Sequence, residues 1–154
     1  VLAQAVMEPT YVDIPLNKVQ RFIQLHKKVT DLSQDEGRTV QGHWVYRHWY
    51  GSGAAIVIYD QYNSAQDATN DDFKAVYVKN NETLSAEDKK GMDTVFTEWG
   101  SFYNCHWDEM RVINYEKDFV SKEDVDWDIP FVFVVGTYNT KGKPSEMAEA
   151  YMDW

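Results

Sequence analysis

VMEPTYVDIPLNKVQRFIQLHKKV, residues 6–29, is the stretch from which the fold is read. The opening strand runs from Val6 to Ile14, and Pro15 closes it. Asn17 followed three residues later by Gln20 has the form of a capping box, in which the Asn side chain accepts from an orphan amide and the Gln reaches back. A helix is therefore expected to start at Asn17. Leu16, Val19, Phe22, Ile23, His26 and Val29 keep spacings of three and four, which places one apolar stripe on a helix that ends before Gly37. Lys18, Arg21, Lys27 and Lys28 fall mostly on the wet side.

Outward from this strand-helix unit, Val40–Tyr50 and Ala54–Tyr62 are rich in Val, Ile, Trp and Tyr. Gly51-Ser52-Gly53 between them is a permissive turn, so an antiparallel hairpin is expected. Asn63 to Asn81 is polar, with Phe73, Val76 and Tyr77 marking a short helix in a long connection. Ser85 with Asp88 repeats the capping signature, and Met92, Val95, Phe96, Trp99, Phe102, Tyr103, His106 and Met110 form the cleanest helical stripe in the chain. Gly91 and Gly100 interrupt that stripe at about 1 kcal/mol each, which the burial of large side chains offsets. Arg111–Phe119 alternates and reads as a fourth strand. Strand, helix, strand, strand, helix, strand is the ferredoxin-like order, an α+β fold with an antiparallel sheet and both helices on one face.

The opening then recurs. Thr10-Tyr11 falls late in the first extended run, and Thr137-Tyr138 closes a second, Phe131–Val135. Asn17 and its stripe have counterparts in Ser145 and the stripe Met147, Ala150, Tyr151 and Trp154. The expected organisation is residues 1–5 as the tail of an export signal, 6–119 as a ferredoxin-like unit, 120–130 as an acidic linker, and 131–154 as the start of a second, tandem unit. The strand leading to NKVQRFIQLHKK, the hairpin GHWVYRHWYGSGAAIVIYDQYNS and the long second helix resemble the dimeric α+β-barrel superfamily. Its members include antibiotic-biosynthesis monooxygenase-like, stress-responsive barrel and NIPSNAP-like domains. The resemblance implies that two units pack sheet against sheet, as separate chains or tandem repeats, and that ligands sit between sheet and helices or within the barrel.

Composition narrows the partners. A chain of 154 residues, 44% hydrophobic and 15% aromatic, can build a core without metals or disulfides. Its formal net charge of −10 lacks the basic footprint that nucleic acid or an anionic membrane requires. No run reaches the roughly 18 apolar residues of a membrane span. One cysteine, Cys105, permits no intrachain disulfide. Val1-Leu2-Ala3-Gln4-Ala5 matches the small-residue end of a secretory signal, so a periplasmic or extracellular location is expected, with the cytoplasm as the alternative.

No metal-binding spacing, nucleophile elbow or phosphate loop occurs in the sequence. Asn81-Glu82-Thr83 has the form of a glycosylation acceptor. On the strand from Val40 to Tyr50, alternation puts His43, Arg47 and Trp49 on one face and Trp44, Tyr46, His48 and Tyr50 on the other. His26 and His106 lie on the apolar stripes of their helices, which brings both imidazoles toward this strand and one of His43 and His48. The candidate ligand-binding residues are therefore His26, His43, Arg47, His48, Trp49 and His106. The sequence predicts an exported module with an aromatic-lined cleft that binds a small apolar or aromatic molecule, or that assembles with a copy of itself or another protein. No cofactor is predicted. The alternative, from the resemblance, is a cofactor-independent monooxygenase-like enzyme or a haem-handling one, with His43 or His48, Arg47 and Trp49 orienting substrate and His26 or His106 moving protons.

Overall fold

The computed structural model describes residues 4–49, 53–115, 136, 141–143, 145–147 and 149. The chain divides into two compact units, Val1–Ile113 and Asn114–Trp154. In the first, strand β1 (Val6–Val12) is followed by a single 3₁₀ turn at Leu16–Lys18 and helix α1 (Val19–Leu32). Strands β2 (Gly42–Arg47) and β3 (Ile56–Tyr62) form the hairpin, and helices α2 (Ala65–Asn70) and α3 (Phe73–Asn81) fill the connection. The long helix α4 (Ala86–Ser101) runs into a 3₁₀ turn, Phe102–Cys105, and then strands β4 (His106–Asp108) and β5 (Arg111–Val112). The strands are antiparallel in the order β2-β3-β1-β4, with β5 also on β1. This is the ferredoxin-like arrangement.

Alternation along β1 and β3 sorts the sheet into two faces. Val12, Ile56 and Ile58 pack under Val19 and Phe22 of α1, with Ile14 beside them, and Trp99, Phe102 and Tyr103 close this core from the α4 side. Both long helices thus lie on one face. Phe22, Leu25, Ile56, Val12 and Val29 are fully enclosed, and Leu25 joins the buried stripe of α1 while Leu16 stays largely in solvent. The helix begins after the 3₁₀ turn, so Asn17 does not cap it; the turn is closed by the Lys18 amide on the Pro15 carbonyl. The other N-termini are capped by side chains: Ser64 on the Asp67 amide, Asp72 on Ala75 and Ser85 on Asp88. The polar segment after β3 therefore holds two capped helices instead of one.

The fourth strand begins earlier than its alternation suggests. Val12 pairs with His106, Tyr11 with Trp107 and Thr10 with Asp108; Met7 pairs with Arg111 and Val6 with Val112, in one unbroken register. The ladder lapses between, opposite Pro9. The Glu109 amide still donates to the Pro9 carbonyl, at 3.1 Å. Pro9 has no N–H to return, so the reciprocal bond is missing and the strand is split into two short pieces. His106 consequently sits on a strand, and neither it nor Met110 continues the stripe of α4. Residues 116–119, the expected end of this strand, lie outside the described residues, as do the linker and most of the second opening. In the second unit Ser145, Glu146, Met147 and Glu149 are helical. No described helix is long and apolar enough to cross a membrane.

Candidate functional site

Between the helical layer and the polar half of the sheet lies a cavity of about 630 Å³. Its floor is set by register. His43 on β2 pairs with Asp60 on β3, which pairs in turn with Glu8 on β1, and one step along the same face Ile58 pairs with Thr10 and Thr10 with Asp108. The strand alternation that fills the other half of this face with Val12, Ile56 and Ile58 therefore delivers carboxylates and an imidazole here. The opposite wall comes from α1 (His26), α3 (Phe73), α4 (Trp99) and the turn after it (Tyr103).

A chain of four side chains joins wall to floor. The indole Nε1–H of Trp99 donates to Nδ1 of His26 at 3.0 Å. Nε2 of His26 lies 2.9 Å from Nε2 of His43, and Nδ1 of His43 lies 2.5 Å from Oδ1 of Asp60. An indole can only donate, so it fixes every proton along the chain. Nδ1 of His26 is the acceptor, its single proton is on Nε2, and that proton is given to His43. Nε2 of His43 is then the acceptor, and its proton is on Nδ1, facing the Asp60 carboxylate. Both imidazoles are neutral in this arrangement. His26 is 5% exposed, and burial together with the neighbouring His43 pushes its pKa down to about 3. Phe22 stacks on the same ring at 5.3 Å between centroids.

At the other side of the cavity His106 donates from Nδ1 to the carbonyl of Tyr103. Its Nε2 lies 3.4 Å from Oδ2 of Asp108, whose Oδ1 accepts from the Thr10 hydroxyl at 2.7 Å. No described residue hydrogen-bonds the Glu8 carboxyl. Burial, then Asp108, Asp60 and Asp71, raise its pKa. Arg38, the one arginine of the lining, is committed: it forms an ion pair with Asp71 at 2.7 Å, donates to the Ser33 carbonyl at 3.0 Å and lies over the Phe73 ring. Asp71 also accepts from the Thr39 amide, and although burial works the other way, these bonds hold its carboxyl below the usual range.

Of the six candidates read from the sequence, the structure brings His26, His43 and His106 to one cavity. The other three lie elsewhere. His48 binds across the hairpin turn, Nδ1 to the Ala54 carbonyl at 3.2 Å, Arg47 is exposed at the end of β2, and Trp49 is 83% exposed beyond it. The aromatic side chains of β2 do not line the cavity either, because Trp44 and Tyr46 alternate onto the sheet's outer face; the cavity's aromatics come from β3 (Tyr62), α3, α4 and the turn beyond. Asp60, Glu8, Asp108, Arg38, Asp71 and Tyr103 were not anticipated in this role. The signal for Asp60 was present, a carboxylate at the same parity as Ile56 and Ile58 in an apolar strand. Asn81 is 5% exposed, so its glycosylation tripeptide is closed in the folded chain.

Among the described residues no group of three or more His, Cys, Asp and Glu is arranged to hold a metal ion. The lining does not fit a haem. Two propionates would meet Glu8, Asp60 and Asp108 with Arg38 already neutralised by Asp71.

No family model and no curated protein matches the sequence. The chain is similar to several solved structures. A dimeric ferredoxin-like protein from an uncultured marine organism is 12% identical, with 78% of this chain and 94% of that one covered and a TM-score of 0.48. A dimeric protein of ferredoxin-like fold from Bacteroides fragilis is 10% identical, with coverage of 73% and 100% and a TM-score of 0.43. SnoaB, a cofactor-independent oxygenase from Streptomyces nogalater, is 7% identical, with coverage of 77% and 98% and a TM-score of 0.39.

Proposed function

We propose that this chain is a small-molecule-binding module whose ligand occupies the cavity between the sheet and the helices. The observation that carries the reading is the cavity itself: an open space of about 630 Å³ with polar groups already held in place by hydrogen bonds. An amphipathic organic ligand fits this lining better than a wholly apolar one, its apolar part against Phe73 and Tyr103 and its polar part over Glu8, Asp60 and Asp108. The test is a titration of the ¹⁵N-labelled chain with a panel of small aromatic amines, acids and phenols. Binding moves the amide signals of Glu8, His43, Asp60, Phe73 and His106 together. A panel in which no compound moves them, or in which shifts gather elsewhere, defeats the reading.

One observation favours a catalytic variant of this function. Both nitrogens of His26 and of His43 are committed, whereas His106 lines the cavity and its Nε2 has only Asp108 beside it, at 3.4 Å. His106 is therefore the imidazole placed to exchange a proton with a ligand. Oxygen uptake in the presence of a bound phenol, lost in His106→Gln with binding retained, is the outcome that would convert the binding module into a cofactor-independent oxygenase.

A further inference from the structure

We propose that the Trp99–His26–His43–Asp60 chain is a proton-gated clasp, closed while both imidazoles are neutral and opened by one added proton. The inference concerns the wall of the same cavity but stands whether or not the cavity takes a ligand. Its basis is the proton order. Each link has one donor and one acceptor, and the sequence of links starts at a group that can only donate and ends at a carboxylate that can only accept. No position is left for another proton on either ring. Added to Nε2 of His43, it confronts the proton on Nε2 of His26 across 2.9 Å; added to Nδ1 of His26, it confronts the indole N–H across 3.0 Å. One link must break in either case.

The broken link is also a tertiary contact. His26 belongs to α1, His43 to β2 and Trp99 to α4, so the clasp ties the first helix to the hairpin on one side and to the second long helix on the other. The groups that face it are known from every neighbouring element. Asp60 on β3 and Glu8 on β1 lie in one row with His43 across the sheet; His106 and Asp108 on β4 and the Tyr103 hydroxyl, 3.4 Å from Nδ1 of His26, complete the surroundings. Arg38 and Asp71, from the segments after α1 and α2, neutralise each other. A proton on Nε2 of His43 leaves its Nδ1–H on the Asp60 carboxylate and sets N–H against N–H toward His26. An added proton therefore strengthens the His43–Asp60 pair and releases α1 from it.

The test uses the full chain, uniformly ¹⁵N-labelled and without ligand. Long-range ¹H–¹⁵N correlation of the imidazole rings at mildly alkaline pH is expected to show His26 protonated at Nε2 and His43 at Nδ1. On acidification, amide exchange in α1 around His26, corrected for its intrinsic pH dependence, is expected to rise about fivefold, the factor that accompanies one lost hydrogen bond. His43→Gln supplies an amide oxygen for the His26 N–H that does not titrate, so its α1 exchange is expected to lose the acid-induced rise. Either ring found as the other tautomer in the wild-type chain overturns the proposal, and so does an equal rise in His43→Gln. The tautomers are read without any substitution, so the proposal is decided even where the variant fails to fold.

Discussion

A buried imidazole that has given up its basicity leaves a mark on the pH dependence of stability. The pKa of His26 lies near 3 in the folded chain, against an ordinary 6.5. Between these values the unfolded chain binds a proton that the folded chain refuses, so stability rises with pH through this window and is level above it. Acid unfolding is therefore expected to begin to ease below about pH 6.5, with a loss on the order of a few kcal/mol by pH 3 traceable to this residue. Chemical denaturation across this range in the wild type and in His26→Gln measures it, and an unchanged slope in the variant would show that other groups are responsible. Trp99→Phe keeps an aromatic ring and removes the donor. Nδ1 of His26 is then buried without its main partner, which is expected to cost about 1–3 kcal/mol, read by the same denaturation. The sequence made His26 and Trp99 visible as members of helical stripes. It could not show that they bond, because 73 residues separate them and the tautomer depends on the contact.

Among the elements, the helices are governed by their ends. Ser85 accepts from the Asp88 amide and donates to its carboxylate, so Ser85→Ala is expected to lower stability by about 1 kcal/mol. Gly53 has φ +141°, and a Cβ there would lie 3.2 Å from the His48 ring. Gly53→Ala should cost about 1 kcal/mol or more by thermal denaturation, because L side chains avoid that backbone and the ring beside it must yield. The existence and order of the two long helices, the hairpin and the cap at Ser85 were legible from period and capping pattern. The end of α4 was not. Its 3₁₀ turn keeps apolar residues three apart, so Phe102 and Tyr103 prolong a pattern whose helix has already finished at Ser101. His106 was thus placed on a helix for a reason that the turn explains, and reached the cavity from a strand.

For the molecule as a whole, the cavity is bounded by a staple between distant segments. The Arg38–Asp71 pair has side-chain exposures of 13% and 5%, and it holds the loop after α1 to the end of α2. Removing one partner strands the other charge in a poorly solvated place, so Arg38→Ala is expected to cost about 3–5 kcal/mol in denaturant unfolding. A loss below about 1 kcal/mol would mean that the segment relaxes and lets water reach Asp71. The outer face of the sheet tells a different story from the inner one. Trp44 and Trp107 remain partly exposed there, with Trp107 stacked on Tyr11 at 4.9 Å. If a second copy covers this face, light scattering will return twice the chain mass, and Trp107→Arg will restore the single mass. The side-chain constellation of the cavity was beyond the sequence because it is a product of register: nothing local to Glu8, Asp60 or His43 states that they form a row.

Pro9 gives the cavity an uneven border. On the β2 side the sheet is a continuous ladder, but His106 and Asp108 ride on a piece of three residues whose next reciprocal rung is denied by the proline. Such a piece can lift away without unfolding the rest, at a free energy well below that of global opening. The two halves of the site therefore have different lifetimes. Asp60 and His43 ride on the continuous ladder, whereas the His106–Asp108 half rides on the short strand, and a bound molecule that bridges the halves is expected to be felt first as slower amide exchange at Trp107 and Glu109.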